Sequence, residues 1–150
     1  MIDRPAGRPT VLFVCTHNAG RSALGAALAR ARYGDRIDVQ SAGVDPQDHP
    51  SEVTIASLAE IGIDDSAHVP SELTRDRVAA ADVVVAMKPR LAIPEVDGVR
   101  YETWSLPDPN GWDVDAIRSL RDAIDARITA LIDPLVVGTT AQDVAGRLTP

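Results

Sequence analysis

Between Thr10 and Pro134, short β-branched runs alternate with alanine-rich stretches whose apolar positions recur every three or four residues. That alternation is the signature of strands and helices taking turns in a parallel α/β sheet. Thr10 to Cys15 reads as a first strand, apolar throughout after its threonine and so buried on both faces. Ser22 to Tyr33 reads as an alanine-rich helix closed by Gly34 as its C-terminal cap. A second strand is expected from Ile37 to Ala42, running into Ser41-Ala42-Gly43. The next helix, Pro50 to Ile61, carries Ile55, Leu58 and Ala59 on one face and has Gly62 as its stop. A short helix from Thr74 to Ala81 precedes Asp82 to Met87, whose Val83-Val84-Val85 centre makes it a core strand, and Val99 to Trp104 gives the fourth. The last helix begins near Asp113, with Val114, Ile117, Leu120, Ile124, Ile128 and Leu131 as its apolar stripe, and Pro134 is expected to end it.

The expected architecture is α/β: one domain with an open, four-stranded parallel sheet and helices on both faces. It resembles the doubly wound flavodoxin-like order 2-1-3-4. In such sheets ligands bind beyond the carboxyl ends of the strands, where the order reverses, here between strands one and three. The segment leaving Cys15 therefore sits where a site belongs. Residues 1–9 are expected to be a flexible lead-in, 10–134 the domain, and 135–150, without clear periodicity, a C-terminal tail.

Composition narrows the function. A chain of 150 residues with 45% hydrophobic and 25% charged residues has room for one globular core. A net charge of -7 argues against a nucleic-acid surface, which needs clustered Lys and Arg. The apolar run Val11 to Cys15 is too short for a secretory signal or a spanning helix, so the expectation is a cytoplasmic protein with no membrane partner. Cys15 is the only cysteine, which excludes an intrachain disulfide and a cysteine-rich metal cage, and no metal site is expected.

That one thiol opens the stretch Cys15-Thr16-His17-Asn18-Ala19-Gly20-Arg21-Ser22, which leaves a strand and enters a helix. Curled around a centre, the backbone N–H groups of such a loop form an anion nest, and the helix start adds its positive end. A tetrahedral oxyanion fits, gripped by the planar fork of Arg21. Helix N-termini and neighbouring cations also favour the thiolate form of a cysteine, so the loop makes its own nucleophile. Ser22 can donate a hydrogen bond to that thiolate, and Asn18 tolerates the left-handed backbone a tight ring demands. For His17 the backbone N–H is expected to matter more than the ring. A lone cysteine at a strand end is ordinarily a small buried hydrophobe; the Arg and Ser at fixed spacing turn that reading over.

The Cys-x5-Arg-Ser run resembles the active-site loop of the low-molecular-weight protein tyrosine phosphatase family, which includes thiol-coupled arsenate reductases. The likeness continues through Ser41-Ala42-Gly43, Ala81-Asp82-Val83-Val84-Val85-Ala86-Met87 and Leu106-Pro107-Asp108-Pro109. It implies Cys15 as nucleophile, Arg21 as the oxyanion clamp, Asp108 as the general acid that protonates the leaving group, and Ser41 as a support of the loop. The His-Asn-Ala-Gly centre of the loop and Trp104-x-Leu106-x-Asp108-Pro109-x-Gly111 resemble the reductases. The phosphatases usually place aromatic residues after the acid, where Asn110, Gly111 and Trp112 stand here. The thioredoxin-coupled reductases resolve their arsenic adduct through two further cysteines, which Met87 to Pro94 does not contain. The resemblance thus implies an arsenate reductase or arsenate-thiol transferase with no bound cofactor. Its cosubstrate would be a low-molecular-weight thiol of the mycothiol type, with a redoxin-type reductant downstream. The alternatives are a phosphatase acting on phosphotyrosine or a small phosphomonoester through a cysteinyl-phosphate, and a non-catalytic oxyanion-binding module.

Overall fold

The computed structural model describes the backbone of residues 8–148 and the side chains of residues 8–136. Its elements follow in the order β1 (Thr10–Cys15), α1 (Arg21–Tyr33), β2 (Asp38–Gly43), α2 (Glu52–Ala59), α3 (Arg75–Ala79), β3 (Val83–Ala86), β4 (Arg100–Thr103) and α4 (Val114–Leu148). The strands form one sheet in the order β2-β1-β3-β4, and every pairing is parallel. This is the four-stranded order expected from the sequence.

Because side chains alternate across a strand, β1 feeds two cores at once. Phe13 and Cys15 face Leu24 of α1, Leu58 of α2 and Ile117, Ile124 and Ile128 of α4. Leu12 and Val14 face Val78 of α3 and, at its edge, Leu91 and Ile93. Three helices thus cover one face, and α3 with the segment before β4 covers the other. Gly25 lets α1 lie close to the sheet: a Cβ there would stand 3.0 Å from the Phe13 ring and 3.1 Å from the Met87 methyl carbon. The closeness brings the start of α1 over the end of β1. No helix among the described residues is long and apolar enough to cross a membrane.

Two local expectations are corrected. Pro134 does not end the last helix: α4 passes through it to Leu148. Proline cannot donate to the carbonyl four residues back, but that removes one bond from a long ladder. Packing on both sides of it prevails, since Leu131, Ile132 and Val136 are buried and the Tyr33 hydroxyl donates to Asp133 at 2.9 Å. Gly34 does cap α1, but in right-handed conformation at φ -60°, and the turn closes through Ile37 N–H to the Tyr33 carbonyl at 3.0 Å. Of the lead-in expected at 1–9, residues 1–7 lie outside the described residues, as do the side chains of the expected tail beyond 136.

A charged clamp fixes α2, which borders the site, against α4. Arg118 grips Glu60 through Nε at 3.1 Å and Nη2 at 2.7 Å. Arg121, buried to 7% exposure, donates from Nη1 to the Ser57 carbonyl and to Glu60, each at 2.9 Å. Hydrogen bonds from Arg118 and then Arg121 hold the Glu60 carboxyl down to about 2, against an ordinary 4.5. A carboxylate depressed in the fold adds stability that is present above its unfolded value and lost as pH falls toward its folded one. Glu60→Gln is therefore expected to lower stability at neutral pH and to flatten the loss between pH 4.5 and about 2. Denaturant midpoints measured against pH check this; an acid limb as steep as in the parent protein would remove the clamp from the account.

Candidate active site

The connection from β1 to α1 is a ring whose carbonyls are all tied on its outer side. Val44 N–H bonds the Cys15 carbonyl at 3.2 Å, Asp45 N–H that of Thr16 at 2.8 Å, Gln47 N–H that of His17 at 3.1 Å, and Ser51 N–H that of Ala19 at 3.0 Å. His68 Nε2 reaches the Asn18 carbonyl at 2.8 Å; since a carbonyl only accepts, that nitrogen carries the proton. In a trans peptide the next N–H points opposite to the carbonyl, so with these carbonyls outward the N–H groups of residues 16 to 20 turn inward. Gly20 caps α1 without any side-chain bond to the helix start. The first N–H groups of α1 are then free for an anion.

At the floor of the ring lies Cys15, 3% exposed. Its sulfur accepts from the Asn18 N–H at 3.3 Å and lies 2.9 Å from Ser22 Oγ. The serine is itself held by Asn18. Ser71 N–H donates to Asn18 Oδ1 at 3.0 Å, which fixes the amide so that Nδ2 donates to Ser22 Oγ at 2.8 Å. The serine oxygen accepts that bond, and because a thiolate has no hydrogen to give, its own hydrogen points to the sulfur once Cys15 is ionised. Asn18 takes the left-handed backbone expected of it, at φ 54°.

Arg21 is buried to 7% exposure and donates from Nη1 to the Leu106 carbonyl at 3.1 Å. The cation is thus tied to the segment carrying Asp108. Asp108 itself is exposed and accepts at Oδ1 from the Asn110 N–H at 3.0 Å, a local turn. Together Cys15, His17, Arg21, Glu52, Asp108 and Trp112 line a cleft of about 670 Å³. Thr16, His17, Ala19 and Gly20 supply the ring itself, and the half-exposed His17 ring bonds the Asp45 carbonyl at 2.9 Å. The structure therefore joins the thiol to the ring by hydrogen bonds, ties the Arg21 guanidinium to the Leu106 carbonyl, and stands Asp108 at the edge of the cleft that Cys15 and Arg21 also line.

Ser41 lies below the ring rather than in it: its carbonyl accepts from Ser71 Oγ at 3.3 Å, and it reaches the loop through Ser71. His68 and Ser71 were not singled out in the sequence. Their signal is faint, two polar residues among several in the connection between Gly62 and Thr74. Among the described residues no group of three or more His, Cys, Asp or Glu is placed to hold a metal ion.

The sequence model of the low molecular weight phosphotyrosine protein phosphatases matches residues 10–141. The chain belongs to that family. Arsenate reductase 1 of Staphylococcus epidermidis is 31% identical over 127 residues, covering 81% of this chain and 93% of the relative. A thioredoxin-dependent arsenate reductase of Corynebacterium glutamicum superposes with a TM-score of 0.77 at 32% identity, over 89% of this chain. This chain spans 64% of that longer one. The low molecular weight protein tyrosine phosphatase of T. tengcongensis superposes at 0.76 with 26% identity, over 83% and 98% of the two chains. Within the phosphatase family, then, the chain has arsenate reductases and a tyrosine phosphatase among its relatives, on one shared fold.

Proposed function

We propose that this member of the family is an arsenate reductase that passes its arsenic to an external low-molecular-weight thiol. The reading is carried by one observation: the ring holds a single sulfur wired to donors from Ser22 and Asn18, in a chain with no other cysteine. The Cys15 thiolate attacks arsenic(V), an S–As bond forms, and an arsenate oxygen departs as water with a proton from Asp108. Arg21 and the inward N–H groups hold the remaining oxygens. The external thiolate then attacks arsenic, its S–As bond forming as the Cys15–As bond breaks, and arsenic stays pentavalent. A second thiol, of the redoxin type, attacks the sulfur of that conjugate: a disulfide forms, two electrons pass to arsenic, and arsenite leaves. The mycothiol type of cosubstrate rests on resemblance to single-cysteine reductases.

The alternative is hydrolysis of a phosphomonoester, with water attacking a Cys15-phosphate. It is favoured by the tyrosine phosphatase among the structural relatives. Against it stands the rim, where Asn110, Gly111 and Trp112 line the cleft at the place where, by resemblance, the family's phosphatases usually carry aromatic residues. Arsenate-dependent consumption of added thiol is the expected result, with none when thiol is omitted. Asp108→Asn should slow it by about 10²-fold or more, the usual share of a general acid. Rapid hydrolysis of an aryl phosphate with no arsenate-dependent thiol loss would make the protein a phosphatase, and oxyanion binding with neither activity would make it a binding module.

A further inference from the structure

Arg77 sits on α3, across the sheet from the helices that flank the ring, and its guanidinium makes four bonds. Nη1 donates to Ser71 Oγ at 2.9 Å and to the Glu72 carbonyl at 3.1 Å. Nη2 donates to the Ser41 carbonyl at 2.8 Å and to Gln40 Oε1 at 3.2 Å. None of the four acceptors is a carboxylate. Burial pushes the guanidinium below its ordinary value, a cost that an arginine extended into water would not carry. Two nitrogens of one fork thus join the end of β2, at Gln40 and Ser41, to the segment Ser71–Glu72. These strands of chain already run together, with Gly43 N–H on the Ser71 carbonyl and Leu73 N–H on the Gly43 carbonyl, each at 2.9 Å.

From Ser71 the bonds lead without a gap to the sulfur. Its N–H holds Asn18 Oδ1, the Asn18 amide holds Ser22 Oγ, and Ser22 Oγ holds Cys15 Sγ. We infer that Arg77 is a positioning residue for the nucleophile: by fixing Ser71 against β2 it sets the Asn18 amide, and through it the hydrogen of Ser22 that faces the thiolate. The inference rests on Cys15 being the nucleophile. A lysine would keep the charge but is a point donor, unable to hold both segments in the geometry of a planar fork.

Since Cys15 is the only thiol, alkylation by iodoacetamide reports on this one sulfur. With Arg77→Met, alkylation at pH 7 is expected to slow about tenfold and to converge on the parent rate at high pH, where every thiol is ionised. Turnover should fall about tenfold or more in kcat with KM little changed, the mark of a displaced reacting group. Arg77→Lys should track Arg77→Met, and Arg75→Ala, which removes an exposed charge from the same helix, should match the parent. Should Arg77→Met fail to fold, Arg77→Gln, which keeps one planar donor, carries the same measurements. Parent-like alkylation and kcat, slowing equal at every pH, or full rescue by lysine would each overturn the inference. Alkylation involves no arsenate, so an error in the substrate would leave this result standing.

Discussion

Cys15→Ser is expected to lower turnover by on the order of 10⁴-fold or more, the scale at which removal of a covalent nucleophile is felt. The substitution exchanges one atom at a site 3% exposed, so the ring should keep its shape. An alcohol, however, is not ionised at neutral pH and is a far weaker nucleophile than a thiolate, although Asn18 N–H and Ser22 Oγ still face it. The oxyanion should still bind, since Arg21 and the inward N–H groups are untouched. The check pairs steady-state turnover with phosphate binding by calorimetry. Turnover within tenfold of the parent would take the nucleophile away from Cys15; loss of phosphate binding as well would mean that the ring had collapsed.

How this site was legible in the sequence follows from where its parts lie. Cys15 to Ser22 is contiguous, and its chemistry depends on residue types at fixed spacing, so the loop could be read before the fold was known. The sheet order could be read because β1, apolar after its threonine, and β3 are short apolar runs separated by helical periods. His68 and Ser71 escaped because they reach the loop from about fifty residues away, and Arg77 because it bonds Ser71 rather than the loop itself. Moreover, the bond from Ser71 to Asn18 uses a backbone N–H, which any residue but proline would supply. Nothing in the identity of position 71 announces it. Arg77 was equally silent, since an arginine on a short polar helix ordinarily faces water, and only the meeting of β2 with the segment before α3 gives it four acceptors. Pro134 was misread in the opposite sense. A local rule that stops helices was applied where tertiary packing of Ile132 and Val136 decides the matter.

Gly43→Ala is the second change expected to have a large effect, and it tests the ring without touching any group that does chemistry. Gly43 ends β2 opposite Cys15 in the parallel ladder, directly beneath the loop. A Cβ at this position would lie 2.7 Å from the Thr16 carbonyl oxygen, 2.9 Å from the Asn18 nitrogen and 3.0 Å from the His17 carbonyl carbon. All three are backbone atoms of the ring, so no side chain can swing aside to make room. Either β2 retreats, breaking Val44 N–H from the Cys15 carbonyl and Asp45 N–H from that of Thr16, or the ring itself moves. Both turn N–H groups away from the centre, and a displacement near 1 Å costs about 10²-fold in rate. Because the N–H groups that bind the ground state are those that hold the transition state, oxyanion affinity should weaken along with kcat. That pattern differs from Arg77→Met, where kcat falls with KM nearly constant. Turnover and phosphate binding measured on Gly43→Ala, with thermal melting to confirm a folded chain, distinguish the two. A folded variant with parent-like binding would mean that β2 yields without moving the ring, and that the tight contact beneath Thr16 and Asn18 does not shape the site.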